Sequence, residues 1–213
     1  MPSARRGHGV VEIEIKTVEL VRANDVPIHR KTCRRMNVPH HAHSLTFSCF
    51  GRQPFLDYDL TRRWMIDAID RARCKLGYDV WAYVLMPEHV HILVRPREAE
   101  YDISEFLTAL KLPVTRKACA HAKRCAPDLL ARMLDRQPNG DEHVRFWQRG
   151  GGYDRNIVTN NAAMNEINYI HANPVRRGIC EKTVDWLWSS AAEYAGLEPG
   201  PLRIDRISWV SAT

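Results

Sequence analysis

What this chain lacks narrows its function first. None of its apolar runs approaches the ~20 residues needed to cross a bilayer. Its first residues, M-P-S-A-R-R-G-H-G, lead into the charged V-V-E-I-E-I-K rather than an apolar signal segment, so a cytoplasmic protein is expected. The six cysteines, at 33, 49, 74, 119, 125 and 180, form no CxxC pair and no tight framework, which argues against a zinc finger or a disulfide scaffold and for reduced thiols. Acidic charge is in the minority, 25 Asp and Glu against 31 Lys and Arg.

The positive balance, +6 formally with a pI near 9.1, permits a nucleic-acid partner without demanding one. Its distribution is more informative. Residues 103–125 carry Lys111, Arg116, Lys117, Lys123 and Arg124 against the single acid Glu105, and the first 35 residues carry eight basic and four acidic side chains. Residues 1–37 read as a basic, flexible extension with at most one short strand. Residues 38–196 read as the compact domain, and 197–213 as a C-terminal tail.

Periodicity within the domain predicts a strand over Ala42–Phe50, with Leu45, Phe47 and Cys49 on one face. A helix over Leu60–Leu76 follows, capped by Asp59 and Gly77. Two strands, Asp79–Met86 and His89–Val94, are joined tightly at Pro87-Glu88. The helical stretch Asp102–Cys125 should kink or divide at Pro113, and Pro127–Asp135 suggests a short helix. Val144–Gln148 reads as a fourth strand, with the three glycines 150–152 after it as a hinge or a close backbone approach. The next helix, capped by Asn160 or Asn161, should end at Asn173 because Pro174 disfavours helical geometry in the residue before it. Thr183–Gly196 reads as a short aromatic helix or turn packed on the domain. Strand, helix, strand, strand, helix, strand is the order of an α+β, ferredoxin-like split βαβ fold with an antiparallel sheet. A C-terminal helix would cover its open face.

Two places on that frame carry chemistry. Residues i and i+2 of a strand point to one side, so His89 and His91 leave the sheet together as a ready pair of metal ligands. A cluster at His40, His41 and His43 reads as a solvated turn, with a second metal site as the alternative. On the helix from Asn161, the face Ala163, Met164, Ile167 and Ile170 spans about 120° and should be buried. Asn165, Tyr169 and Asn173 share the opposite stripe. Asn173 could then be a third ligand and Tyr169 a nucleophile. A phosphodiester attacked in line spreads negative charge over its oxygens, and a divalent ion with open positions neutralises that charge and orients the group.

The segments M-P-E-H-V-H-I-L-V and N-Y-I-H-A-N-P-V-R-R-G, in this order and separation, resemble the single-tyrosine HUH transposases, most closely the REP-associated tyrosine transposases. V-R-F-W-Q-R and D-W-L-W-S-S also look like that group's segments, and the resemblance spans about 38–196. It implies an HUH nuclease-type fold that cleaves and rejoins single-stranded DNA at hairpin or palindromic ends. The implied chemistry uses Mg2+ or Mn2+ and leaves a 5′-phosphotyrosine and a free 3′-hydroxyl. His89 and His91 would be the HUH pair, Tyr169 the nucleophile and Asn173 the third ligand, where related transposases have Gln. Lys111, Arg116, Lys117, Lys123, Arg124, Arg149, Arg176 and Arg177 are the expected DNA contacts, with Phe146, Trp147 and Tyr153 as possible stacking partners. A monomer acting on bacterial nucleoid DNA is expected, with a homodimer as the alternative. The three glycines, the long 118–141 stretch and the N-terminal extension depart from the family pattern. Two other readings stay open: a hairpin-binding protein that does not cut, and a hydrolase in which Glu88 activates water.

Overall fold

A computed structural model describes residues 35–150 and 152–208. The expected extension up to residue 34, Gly151 and residues 209–213 lie outside the described residues. Four strands form one antiparallel sheet: β1 (Ala42–Ser48), β2 (Tyr78–Leu85), β3 (His89–Pro96) and β6 (Tyr153–Ile157), in the order β2-β3-β1-β6. Between them run α1 (Asp59–Leu76), α2 (Ile103–Cys125), α3 (Pro127–Arg132) and a small hairpin of β4 (Leu134–Arg136) and β5 (Glu142–Val144). After β6 come α4 (Asn160–Arg176) and the short α5 (Ala191–Tyr194). The order is that of the ferredoxin-like fold, with β1 and β3 central.

Alternation along the strands builds a core on each face. Leu45, Phe47, Val90, Ile92 and Val94 face Met65 and Ile69 of α1 and Phe106, Leu110 and Val114 of α2. The opposite face presents Ala82, Val84 and Leu93 to Ala163, Ile167 and Ile170 of α4. Strand β2 serves both faces because its pairing with β3 shifts between Val80 and Ala82, so the bulge reverses the alternation there. Its outer edge is closed. Leu85 donates to the Trp188 carbonyl at 2.8 Å, Ser190 donates to Tyr83 at 3.1 Å, and Asp205 donates to Val80 at 2.8 Å. An edge so occupied cannot template pairing with another chain. The last of these contacts belongs to the stretch expected as a tail. Leu202 there is buried, and Arg73 donates to the Arg203 carbonyl. The segment is docked on the domain as far as Ile207.

Several expectations are corrected. The fourth strand is Tyr153–Ile157, not Val144–Gln148. In the latter segment Val144 ends β5 of the small hairpin and Trp147 forms an isolated bridge to Cys49, while Phe146 and Trp147 enter the core. Helix α2 is not divided at Pro113 but runs on through it, with buried Leu110 and Val114 anchoring both sides of the proline and offsetting the lost hydrogen bond. Helix α4 likewise continues through Pro174 to Arg176, and its cap is Thr159, whose side chain accepts from Ala162 N–H. The N-terminal cap of α1 is Tyr58, with no side-chain bond, rather than Asp59. Met164 is exposed rather than buried. His43 is fully buried, its ring bonded to Asp154 at 2.8 Å and the Tyr101 hydroxyl at 2.7 Å. The solvated turn holds for His40, which is exposed in a turn, but not for His43, which ties β1 to β6 and to the loop before α2.

Gly152 is the close backbone approach anticipated for the glycine run. It has φ of +67°, and a Cβ there would lie 2.2 Å from the Thr46 carbonyl oxygen. We expect Gly152→Ala to cost about 2–5 kcal/mol in urea unfolding, from left-handed strain plus overlap. Gly77→Ala, also left-handed (φ +69°) but with open space around it, should cost only about 1–2 kcal/mol. Equal losses would show that the contact with Thr46 is not what excludes a side chain at 152.

Candidate active site

The site lies where β3, the end of β1 and the last turns of α4 meet. Strand pairing sets His89 opposite Ser48 and His91 opposite Thr46. Both histidines leave the face that α4 covers and both are buried. Their Nε2 atoms stand 3.0 Å apart, with the ring planes near perpendicular at 87°. The other ring nitrogens are held. His91 Nδ1 meets Thr46 Oγ1 at 2.7 Å, and His89 Nδ1 meets Glu88 Oε1 at 3.2 Å. Glu88 is itself held by Arg177 at 2.9 Å and Arg52 at 3.5 Å. A carboxylate engaged in this way orients a histidine, which leaves it ill placed to activate a water. Burial lowers the pKa of His89. It lowers that of His91 to about 3, with His89 adding to the effect. Both imidazoles are therefore neutral at physiological pH, the form that ligates metals.

Helix α4 supplies the other two groups. Proline has no N–H, so Pro174 leaves the Ile170 carbonyl without its helical partner. The Asn173 amide nitrogen turns back along the helix to fill that place, donating to Tyr169 O at 2.8 Å and to Ile170 O at 3.4 Å. With the amide nitrogen engaged, the amide oxygen is what faces His91, and the Asn173 side chain hydrogen-bonds that ring. Asn173 is thus buried, against the expectation of a polar outer stripe. Tyr169, one turn earlier, is 44 % exposed and sets its ring edge-on to His91, with centroids 5.6 Å apart. The Arg176 guanidinium lies 5.2 Å over the centre of the tyrosine ring.

Three acceptors thus converge: His89 Nε2, His91 Nε2 and the Asn173 oxygen. One proton on His91 Nε2 can serve them. With that proton on Nδ1, toward Thr46, three lone pairs face one another, an arrangement that a divalent cation stabilises. Among the described residues no group of three or more His, Cys, Asp or Glu side chains is placed to hold a metal. The amide is what completes this set, and it fits a hard or borderline divalent ion with open positions.

The expected DNA contacts divide. Arg176 and Arg177 are exposed beside the tyrosine and Glu88. Arg149 is exposed and follows Gln148, whose N–H donates to Ser48, the residue opposite His89. The set on α2 is not brought to the site, because α2 packs on the far face of the sheet. There Arg116, Lys123 and Arg124 are exposed, and Lys117 pairs with Asp67 at 3.2 Å. Lys111 folds its ammonium over the Phe47 ring at 4.6 Å. Thr46 and Arg52 were not anticipated. Thr46 stood in the sequence as the polar alternate of Leu45 and Phe47, whereas nothing in the sequence tied Arg52 to Glu88.

Known proteins share this arrangement of strands and helices. No family model matches the chain. A Haemophilus influenzae protein assigned by name to the REP-associated tyrosine transposases is 27% identical over 139 residues, 62% of this chain and 73% of that protein. The solved structure of a REP-associated tyrosine transposase bound to a REP hairpin superposes with a TM-score of 0.59 at 21% identity, over 83% of this chain and 98% of that one. In sequence and in fold the chain resembles the REP-associated tyrosine transposases. The transposase-like frame accounts for the order β2-β3-β1-β6, with helices on both faces.

Lys111 gives a test that is independent of catalysis. Burial, then repulsion from Arg35, lowers its pKa to about 8. Between that value and the unfolded 10.4 or so the unfolded chain binds more protons, so stability rises with pH there, and the cost of holding the ammonium is complete below about pH 8. Lys111→Met should therefore stabilise the protein at pH 7 by about 1–3 kcal/mol. The gain should shrink as pH approaches 10, read from urea midpoints. A variant less stable than wild type at pH 7 would contradict this.

Proposed function

We propose that this chain cleaves single-stranded DNA beside a hairpin and rejoins it through Tyr169. The observation that carries the reading is the convergence of His89 Nε2, His91 Nε2 and the Asn173 amide oxygen next to a half-exposed tyrosine packed on the same His91 ring. The relative of known structure that is bound to a REP hairpin supports hairpin DNA as the partner.

The Tyr169 hydroxyl gives its proton to solvent, and its oxygen attacks the scissile phosphorus. The bond from phosphorus to the 3′-oxygen breaks. The leaving oxygen takes up a proton, leaving a 5′-phosphotyrosine and a free 3′-hydroxyl. No bond energy is lost to water, so the 3′-hydroxyl of the same or another strand can reverse the step. Helix α4 holds the nucleophile against His91, and this positioning supplies much of the rate. Arg176 over the tyrosine ring offsets the negative charge on the attacking oxygen. A magnesium or manganese ion held by His89, His91 and Asn173 would supply charge neutralisation at the phosphate oxygens. Glu88 and Thr46 keep the two rings turned so that both Nε2 atoms point inward. Arg177, Arg176 and Arg149 are placed to meet backbone phosphates.

All four central groups come from one chain, which supports a monomer as the active unit, with a homodimer as the alternative. No described helix is long and apolar enough to cross a membrane. A cytoplasmic protein acting on bacterial nucleoid DNA fits the proposed substrate.

Incubation with manganese and an end-labelled hairpin carrying a single-stranded extension should give a denaturant-resistant protein–DNA band. Tyr169→Phe and His91→Ala should abolish it. Glu88→Gln should slow its formation about 10- to 100-fold, because the partner that orients His89 loses its charge and with it the ion pairs to Arg177 and Arg52. Cleavage that persists in Tyr169→Phe without an adduct would replace this mechanism with hydrolysis.

A further inference from the structure

The site face of the sheet is covered unevenly. Helix α4 packs mainly over β2 and β3. It meets one end of β1 and β6 through Ala42 and Ile157, and Glu166 reaches across there, accepting from Ser44 Oγ at 2.7 Å and lying 3.9 Å from Arg155. The half made by β1 and β6 stays open in its middle. Thr46 and Ser48 are only half-buried there, and Tyr153 and Arg155 are exposed. Strand register places Tyr153 directly opposite Thr46, and Thr46 directly opposite His91. Residues directly opposite in a sheet share a face. Tyr153, Thr46 and His91 therefore form one row, with Tyr169 above its inner end. At about 4.8 Å per strand, the backbone at Tyr153 lies about 10 Å from that at His91. A splayed nucleotide with its phosphate at the histidines spans that distance.

The groove has a floor of small hydroxyls, Thr46 and Ser48. One wall is the Tyr169 side of α4, and the far rim is an aromatic ring 52 % exposed. An aromatic of that size exposed on a sheet face beside a phosphodiester site suits base stacking, which every nucleobase can satisfy. The charges agree with this occupant: Arg176 and Arg177 flank the tyrosine end and Arg155 the β6 end. The Glu166 carboxylate stands beyond Arg155 and Ser44, where a phosphate backbone would be repelled. The Cβ clash at Gly152 prevents a slip that would turn Tyr153 away. His43 does the same from the other face by holding Asp154.

We infer that Tyr153 is a stacking platform for the base next to the scissile phosphate, so that the groove between α4 and β6 is the track of the single strand entering the site. This deepens the DNA transesterase reading and rests on it. In this assignment Tyr153 does not touch the reacting atoms. It is a positioning residue that sets the preference for an unpaired extension over a closed hairpin.

The test uses Tyr169→Phe protein as background, so that binding is read without chemistry. One probe is a DNA hairpin with a short thymidine extension carrying 2-aminopurine at successive positions, and the other is the same hairpin with blunt ends. The fluorescence of one extension position should be quenched on binding. Adding Tyr153→Ala should remove that quench and weaken binding of the extended hairpin about 5- to 100-fold, with the blunt hairpin unaffected. Tyr153→Phe should keep both quench and affinity, which a merely structural loss would not distinguish. Unchanged affinity and quench in Tyr153→Ala would overturn the inference, and so would equal weakening on both probes. Formation of the covalent adduct by the wild-type chain is scored separately. If no adduct forms, the transesterase reading fails whatever the binding shows. If it forms while Tyr153→Ala changes neither probe, only the platform fails.

Discussion

The hydrogen-bonded pairing of β1 with its two neighbours is the constraint on which the site rests. It fixes Thr46 between His91 on one side and Tyr153 on the other. Side chains alternate along a strand, so a slip of one residue would send every one of them to the other face. His89 and His91 would then enter the apolar layer against α1 and α2. Three features oppose such a slip. Cys49 N–H donates to the Glu88 carbonyl at 2.9 Å, just past the last paired residues. His43 is clamped from behind by Asp154 and Tyr101. Gly152 fits under Thr46 only where it now lies. None of the three is part of the proposed chemistry, but each holds it in place.

Burial shapes the electrostatics as much as charge does. The site histidines are kept neutral by desolvation, and His171, two residues before Asn173 on α4 and bonded to Ser190, is held at about 4 for the same reason. Among the described residues, positive charge stands at the rim, in Arg52, Arg149, Arg155, Arg176 and Arg177. A dry centre of neutral donors ringed by cations suits a polyanionic backbone that must be held by its phosphates while one phosphate is drawn inward. The cations of α2 lie behind the sheet and take no part in this field at close range.

Much of this was legible in the sequence. The His-x-His pair on a central strand follows from the period of two, and the buried stripe of α4 follows from the period of 3.6, apart from Met164. What was missed has physical reasons. The true fourth strand, Y-D-R-N-I, reads as polar because it is an edge. Tyr153 and Arg155 meet solvent, while Asp154 and Asn156 turn inward to His43 and His41. V-R-F-W-Q looked more like a strand because Phe146 and Trp147 are core residues, yet beyond Val144, which ends β5, they fill the core from irregular chain that makes an isolated bridge at Trp147. Both prolines were read by their intrinsic cost. Pro113 is tolerated because buried side chains on either side hold the helix. Pro174 is tolerated because the side chain of Asn173 replaces the missing donor. The α2 cations were grouped by sequence proximity, which carries no information about which face of a sheet a helix will cover.

The two halves of the site are far apart in the chain, since the histidines sit on β3 and the tyrosine and amide on α4, which follows the whole sheet. During synthesis the strands and the first two helices emerge first, with the paired imidazoles already aligned. Tyr169 comes to stand beside them only with α4, which packs through Ala163, Ile167 and Ile170. A chain interrupted anywhere in the intervening residues would carry the ligand pair without the nucleophile. On the proposed mechanism such a fragment cannot form a covalent bond to DNA. On that mechanism the order of elements makes completion of the fold a safeguard, and a product truncated before α4 would be unable to attach to DNA.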